Sequence, residues 1–312
     1  MIKRTLYFGN NAYLHTKDEQ IVIDFADKNK PSTKVPIEDI GVVILDAYQL
    51  TISQNLISKL LDNNVALISC NKKRMPQGLM LNLDGHHIQQ EKFRNQINAS
   101  LPLKKQLWQQ TIKQKINNQA KLLSLLTIVS SEELQNMDYW ASSVRSGDPD
   151  NYEGRAAAFF WQHLFSFYID SFKRGRYEDE PNNLLNYAYA ILRAITARSL
   201  VASGLLPTFG IHHHNKYNAY ALADDIMEPY RPFVDFVVYN IVEEYQDEIL
   251  ENGELELTTD IKRKLLIIPT LDVIIDGDKS PLMIALQRTT ASLSACFDGL
   301  QRNILYPSFP ID

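Results

Sequence analysis

What most limits the fold of this chain is a change of hydrophobic period near residue 89. Before it, apolar residues come in short runs separated by turn signals. After it, they recur at helical spacing over much longer segments. In the first part, "RTLYFGN", "AYLHT", "QIVIDF" and "VPIEDIGVVILD" join β-branched and aromatic residues, with turns at Gly9-Asn10-Asn11 and from Asp27 to Pro31. "TISQNLISKLLDNN" follows, with Ile52, Leu56, Ile57, Leu60 and Leu61 at helical spacing and Thr51 or Ser53 able to cap its start. "VALISC" then reads as a buried strand. Candidate helices in the second part cover 89–118, 119–129, 132–145, 151–174, 181–203, 217–247, 257–266 and 278–303, with breaks at "SGDPDN", "EDEPNN", "SGLLPTFG" and "IDGDKSP". The expectation is an α+β chain. A small β-rich N-terminal domain (1–85) passes through a linker between Asn82 and Gln90 to a larger all-helical domain (86–312).

The 312 residues suffice for two such cores, and with 45% hydrophobic and 22% charged residues the chain is globular. No apolar run approaches the roughly 20 residues that cross a bilayer, and "MIKRTLYFGNNAYL" lacks the pattern of an export signal, so a cytoplasmic location is expected. Cys70 and Cys296 are the only cysteines and form no zinc-type spacing. The net charge is -5, yet between Glu91 and Lys121 seven Lys or Arg stand against one acid, a balance of +6. Acids collect elsewhere, in "YEDEP" and "VEEYQDEILENGELEL". Such segregation suits one face for a polyanion and another for solvent or a protein partner.

The chemistry is concentrated in "PTFGIHHHNKYNAYALADDIMEPYRPFVD", residues 207–235. Asp225 and Glu228 are three apart and share a side of one helix. His213 lies fifteen residues before Glu228, which on a continuous helix would separate them by ~22 Å. The two can meet only if the histidines lie on a loop that folds back, and Gly210, Asn215 and Asn218 provide one. Pro229 should bend the helix. A further carboxylate, Glu153, falls in the first turn of "NYEGRAAAFFWQHL", where Gly154 and Ala156 to Ala158 let another helix come close. Two carboxylates and an imidazole suit Mg²⁺ or Mn²⁺. The plainer alternative is that Glu153 only complements a helix dipole and that Asp225 and Glu228 form surface ion pairs with Lys216 and Arg231.

Other polar features carry less. His15, His86, His87 and His163 have no carboxylate at ligand spacing, "KRGR" at 173–176 could touch phosphate or be a solvated helix end, and Tyr187 and Tyr189 read as core. No phosphate loop, dinucleotide fingerprint or nucleophile elbow occurs.

In order along the chain, "VPIEDIGVVILD", "EGRAAAFFW", "NNLLNYAYAILR" and "GIHHHNKYNAYALADDIMEPYRPFVD" resemble CRISPR-associated protein family one, the integrase of spacer acquisition, with "LADDIMEPYRP" most like members from type II systems. The resemblance implies a small β domain and a helical catalytic domain. It implies a divalent ion, Mg²⁺ or Mn²⁺, held by Glu153, His213 and Glu228, with Asp225 ranked below them as an additional ligand and His212 and His214 as alternatives to His213. It implies a homodimer, with dimerisation assigned to the β domain, assembled into a heterohexamer with a small family-two protein beside the type II effector nuclease. The implied reaction is transesterification, in which the 3′-hydroxyl of a short DNA fragment attacks a phosphodiester at the edge of a CRISPR repeat, with associated endonuclease activity. Arg155 and Arg231 are candidate DNA contacts by proximity in sequence.

Two rival expectations remain from the residues themselves: a stand-alone metal-dependent nuclease acting on branched DNA, and a helical scaffold without catalysis. The scaffold predicts that Glu153, His213 and Glu228 do not converge. The C-terminal "LYPSFPID", with prolines at 307 and 310, is extended and could be a free tail or a docking peptide.

Overall fold

The computed structural model describes residues 3–169, 171–175, 180–252 and 255–310. The chain divides into two compact units, 1–89 and 90–312.

In the first unit β1 (Arg4–Phe8), β5 (Ile40–Leu45), β7 (Ala66–Cys70) and β8 (Pro76–Met80) form one four-stranded sheet in that spatial order. β5 runs parallel to both β1 and β7, and β8 returns antiparallel to β7. A second sheet has the order β4 (Thr33–Pro36), β3 (Gln20–Phe25), β2 (Ala12–Lys17), β6 (Leu50–Ile52). β5 is apolar along nearly its whole length because both its faces are covered, as in parallel sheets generally. β2 instead alternates, with Ala12 and Leu14 inward and Tyr13 exposed. α1 (Gln54–Asp62) begins where Ser53 Oγ accepts the Leu56 N–H at 3.3 Å, so Ser53 is the cap. Its Leu56 and Leu60 close a core with Leu14, Ile21, Ile37, Ile40 and Val43.

The second unit contains α2 (Gln89–Ile97), α3 (Leu101–Leu125), α4 (Ser131–Ser143), α5 (Tyr152–Leu164), α6 (Asn182–Ala202), α7 (Ala221–Met227), α8 (Arg231–Glu244), α9 (Gln246–Asn252), α10 (Thr259–Leu265) and α11 (Leu282–Phe297). The break expected near 118 falls earlier. Ser100 caps α3 through the Leu103 N–H, Pro102 sits in its first turn, and nothing interrupts the next 25 residues. α3 is therefore one rod of ~37 Å. It packs against α4, α5 and α8, and its buried stripe includes Leu107, Trp108, Thr111, Ile112, Lys115 and Ile116.

Pro229 does interrupt the 217–247 segment. α7 passes through a 3-10 turn at Glu228–Tyr230 before α8 resumes. The unit is not wholly helical. β9 (Asp272–Ile275) and β10 (Asp278–Pro281) form a hairpin around Asp276 and Gly277, both at positive φ as a tight two-residue turn requires. Residues 278–281, expected at the start of a helix, are thus strand.

The C-terminal segment is docked. Ser308 and Ile274 exchange both backbone hydrogen bonds, Gln114 and Asn118 donate to the Pro307 carbonyl, and Phe309 stacks on Phe233 with ring centres 4.1 Å apart. Ile311 and Asp312 lie outside the described residues. Among the described residues no helix is long and apolar enough to cross a membrane.

Candidate metal centre

Glu153 enters the site from the first turn of α5. Asp148 receives the Tyr152 and Glu153 N–H groups at 3.0 and 2.9 Å, and Asn151, in left-handed backbone, receives that of Gly154 at 3.2 Å. A Cβ on Gly154 would lie 2.6 Å from the Asn151 amide, so glycine there lets the cap close without moving the Asn151 side chain. Beyond it, the fully buried Ala156 permits the close approach of α3.

The histidine loop is folded over Asp225 on α7. Asp225 is fully buried, and its two oxygens accept the Ile211, His212 and His213 N–H groups at 2.7, 3.0 and 3.3 Å. The same carboxylate holds His213 Nδ1 at 2.5 Å. This hydrogen bond raises the basicity of His213 above its ordinary value. With Nδ1 protonated against Asp225, Nε2 is the ring nitrogen left to act as a ligand. Gly210 makes the fold-back possible, since a Cβ there would stand 2.6 Å from the His213 carbonyl and 2.7 Å from Asp225 Oδ2. His212 is used differently. Its ring lies flat on Trp108 with centroids 4.0 Å apart, and burial lowers its basicity. His214 is exposed.

Glu228 is supplied by the 3-10 turn that Pro229 enforces. The turn is tied to α3, where Asn118 Nδ2 donates to the Pro229 carbonyl at 2.7 Å. Glu228 is 3% exposed, and Arg231 Nη2 stands 3.0 Å from its Oε1. On its other side is Lys115, a residue from the middle of α3. The Lys115 nitrogen is 2.7 Å from Glu153 Oε1 and 2.7 Å from Glu228 Oε2, so one ammonium joins two carboxylates that are 75 positions apart in sequence.

Glu228 Oε2 is buried and rests on the Lys115 ammonium as a close ion pair. Burial alone would raise the Glu228 carboxyl, but Arg231 and Lys115 outweigh it and hold the group below the ordinary carboxylate range. Lys115 is likewise penalised by burial, and Glu228 and Glu153 more than compensate, leaving it more basic than a free lysine.

The structure thus brings Glu153 and Glu228 onto one cationic nitrogen, and His213 stands within electrostatic reach of both. Among the described residues no three His, Cys, Asp or Glu side chains stand at metal-holding separation, and the Lys115 ammonium contacts both glutamates. The donor set nevertheless fits a hard divalent cation: two carboxylates, one with a buried oxygen held by a single ammonium, and an imidazole whose outer nitrogen is already anchored. Asp225, expected as an additional ligand, has both oxygens committed to the histidine loop and acts on the site through His213.

The alternative surface ion pairs are only partly present. Arg231 does face Glu228, but both carboxylates are buried. Arg231 also lies over the Tyr189 ring at 4.8 Å, whereas Arg155 is exposed over Tyr152 at 5.2 Å. In "KRGR", Arg174 turns inward to Asn182 and Asn186 at 2.8 and 2.9 Å, and Arg176 lies outside the described residues. The basic stretch from 92 to 121 is not one surface: Lys115 is buried in the site and Lys92 pairs with Asp298.

Sequence reasoning missed Lys115 and Asp148. Lys115 follows Trp108 by seven and Thr111 by four, which places it on the buried stripe of α3, and that spacing could have distinguished it from solvated lysines.

Comparison with known proteins agrees in outline. Residues 6–267 match the family model described as CRISPR associated protein Cas1. The CRISPR-associated endonuclease Cas1 of Neisseria meningitidis serogroup C (strain 8013) is 35% identical over 298 residues, covering 95% of this chain and 92% of that one. Among solved structures, a casposase bound to integration product superposes with a TM-score of 0.78 at 18% identity, covering 97% of this chain and 92% of that one. A Cas6-RT-Cas1–Cas2 complex gives 0.68 at 20% identity, over 97% of this chain and 36% of the matched one.

Proposed function

The chain belongs to the CRISPR associated protein Cas1 family, and from that premise we propose that it is a metal-dependent DNA integrase of CRISPR adaptation. It joins the 3′-hydroxyl ends of short DNA fragments into the repeat array, with associated endonuclease activity. The observation that carries this reading is the meeting of Glu153 and Glu228 from different helices on one buried cation, beside a His213 oriented by Asp225.

In this reading Glu153, His213 Nε2 and Glu228 hold Mg²⁺ or Mn²⁺. The ion, when bound, polarises the scissile phosphate and offsets charge on the attacking or departing oxygen. The chain's own contribution is positional. Asp225 fixes the imidazole, the Pro229 turn aims Glu228, and the Asp148 and Asn151 caps fix the α5 turn that carries Glu153. One phosphodiester replaces another: the fragment's 3′-oxygen forms a bond to phosphorus as the repeat's own 3′-oxygen leaves and takes up a proton. No ATP is needed. Arg155, exposed beside the first turn of α5, is assigned to DNA backbone contact, while Arg231 orients Glu228.

The partners follow from the same premise. A Cas1–Cas2 assembly appears in the name of a structural neighbour, which supports a family-two partner for this chain. The β-rich unit is assigned to homodimer formation, and the type II-like motif extends the set to the effector nuclease.

The test is to incubate the protein, its family-two partner and Mn²⁺ or Mg²⁺ with labelled 3′-hydroxyl DNA and a plasmid carrying the repeat array. Label should enter the plasmid only with metal, and Glu228→Ala should abolish it. Cleavage of branched DNA without joining would instead support the nuclease alone. Equal behaviour of wild type and variant would replace both with the scaffold.

A further inference from the structure

Lys115 is the one cation placed between the two glutamates, and it sits on a rigid element. α3 is locked on one side by Asn118, whose amide joins the Pro229 and Pro307 carbonyls, and on the other by Trp108 under His212. Its ammonium touches the oxygens that a divalent ion would use. As a result the ion cannot simply be added to the arrangement. An ion that uses Glu228 Oε2 has to take it from Lys115, since Oε1 already faces Arg231.

Charge decides what happens next. Around the site stand three carboxylates (Glu153, Asp225, Glu228) and two cations (Lys115, Arg231), one negative charge in excess with His213 neutral. That excess disfavours an approaching phosphodiester. A divalent ion turns it into one positive charge, in a place where Lys115 is 8% and Glu228 3% exposed. Once displaced, the ammonium is a nearly buried cation without its former partner, a state that an anionic oxygen relieves. Without Lys115 the loaded site would be neutral and would have no such demand.

Building on the metal reading above, we propose that Lys115 couples ion binding to DNA binding: it competes with the ion for carboxylate oxygen and, once displaced, favours an anionic oxygen beside it, so that the two ligands bind cooperatively. The coupling is reciprocal by linkage, so DNA must tighten the ion by the factor with which the ion tightens DNA.

The experiment measures Mn²⁺ affinity of the full chain by calorimetry and by Mn²⁺ electron paramagnetic resonance, with and without a DNA duplex whose 3′ ends are dideoxy-blocked. It also measures duplex affinity with and without Mn²⁺. For wild type, DNA should tighten Mn²⁺ binding about tenfold or more, and Mn²⁺ should tighten DNA equally. Lys115→Met should bind Mn²⁺ about tenfold more tightly than wild type in the absence of DNA, with the gain from DNA reduced below threefold. Lys115→Arg should keep most of the gain. A Lys115→Met protein with wild-type Mn²⁺ affinity and an undiminished gain overturns the proposal. If Lys115→Met does not fold, as circular dichroism would show, the wild-type comparison decides, and a gain below twofold in either direction overturns it. Absence of any Mn²⁺ binding to wild type, with and without DNA, removes the metal reading itself, an outcome distinct from Mn²⁺ binding that ignores DNA.

Discussion

Asp224 and Glu228 are one helical turn apart, both buried and both facing arginine, yet they are finished to different degrees. Asp224 has every acceptor in use: Arg193 reaches its two oxygens at 2.6 and 3.2 Å, and Asn218 adds a third bond at 2.8 Å. Glu228 Oε2 instead rests against a single ammonium, Lys115, supplied from another helix. A satisfied buried pair is a fastener, because nothing further gains by approaching it. One whose oxygen is held by a single ammonium, on a proline-enforced turn, can exchange that partner for a ligand. The two kinds of carboxylate are thus told apart by how many groups hold each oxygen, and burial or charge alone would not separate them.

The comparison breaks first at Glu228. On the proposed reading Glu228→Gln removes a ligand charge and should lower joining at least ~100-fold, since a metal contributes several kcal/mol of charge stabilisation and each 1.36 kcal/mol is a decade. It should also cost some thermal stability, because Arg231 loses its charged partner while Lys115 keeps Glu153. A variant that integrates at near wild-type rate would place Glu228 with Asp224 as a fastener.

Asp225→Asn comes next. An amide cannot accept from three N–H groups and the imidazole together, so its Nδ2 meets a donor and His213 loses its anchor. Mn²⁺ affinity should fall ~10–100-fold, as for other groups that orient a ligand from behind. Calorimetry showing an unchanged affinity would mean that His213 does not ligate.

Asp224→Ala should do the reverse. It should cost ~1–3 kcal/mol of unfolding free energy, at the lower part of the range for a broken buried pair because Arg193 is partly exposed. Mn²⁺ affinity should stay within about twofold once the protein is assayed well below its melting temperature. A large loss of affinity with no loss of stability would reverse the assignment of the two acids.

Much of the frame around these acids was legible in the sequence, and the failures have identifiable causes. The β-to-helix switch, the Ser53 cap and the bend at Pro229 all rest on local chemistry, which a single chain displays directly. The fold-back of the histidine loop was readable from spacing, because a straight helix could not have brought His213 to Glu228. Lys115 was hidden in a run of seven basic residues, and only the Trp108 and Thr111 positions on the same face mark it as buried. The Asp276-Gly277 turn was recognised as a break, but four strand residues on either side are too short to show a period against the helix that follows. Asp225 was singled out by its spacing to Glu228, but as an additional ligand; its role as anchor of the histidine loop depends on three N–H groups from a loop twelve to fourteen residues away.

A third carboxylate on the same run, Asp235, tests the middle of the range. It is fully enclosed and accepts the Tyr189 hydroxyl at 2.5 Å, while Arg174 and Arg231 lie over the Tyr189 ring and do not pair with it directly. Burial dominates, and the carboxyl is pushed up to about 7 despite that hydrogen bond. In the unfolded chain it titrates near ~3.9. Between these values the folded protein keeps a proton that the unfolded chain has lost, so folding takes one up. The associated stability is complete below about pH 4 and is lost as pH rises through about 7, with a slope of up to ~1.4 kcal/mol per pH unit. Asp235→Asn retains an oxygen for Tyr189 and has no proton to exchange. The wild-type advantage over this variant should therefore shrink between pH 4.5 and 7.5, read from denaturant midpoints at matched ionic strength. Parallel curves for the two proteins would mean that Asp235 is ionised throughout, paired through the arginines after all, and would move it to the side of Asp224.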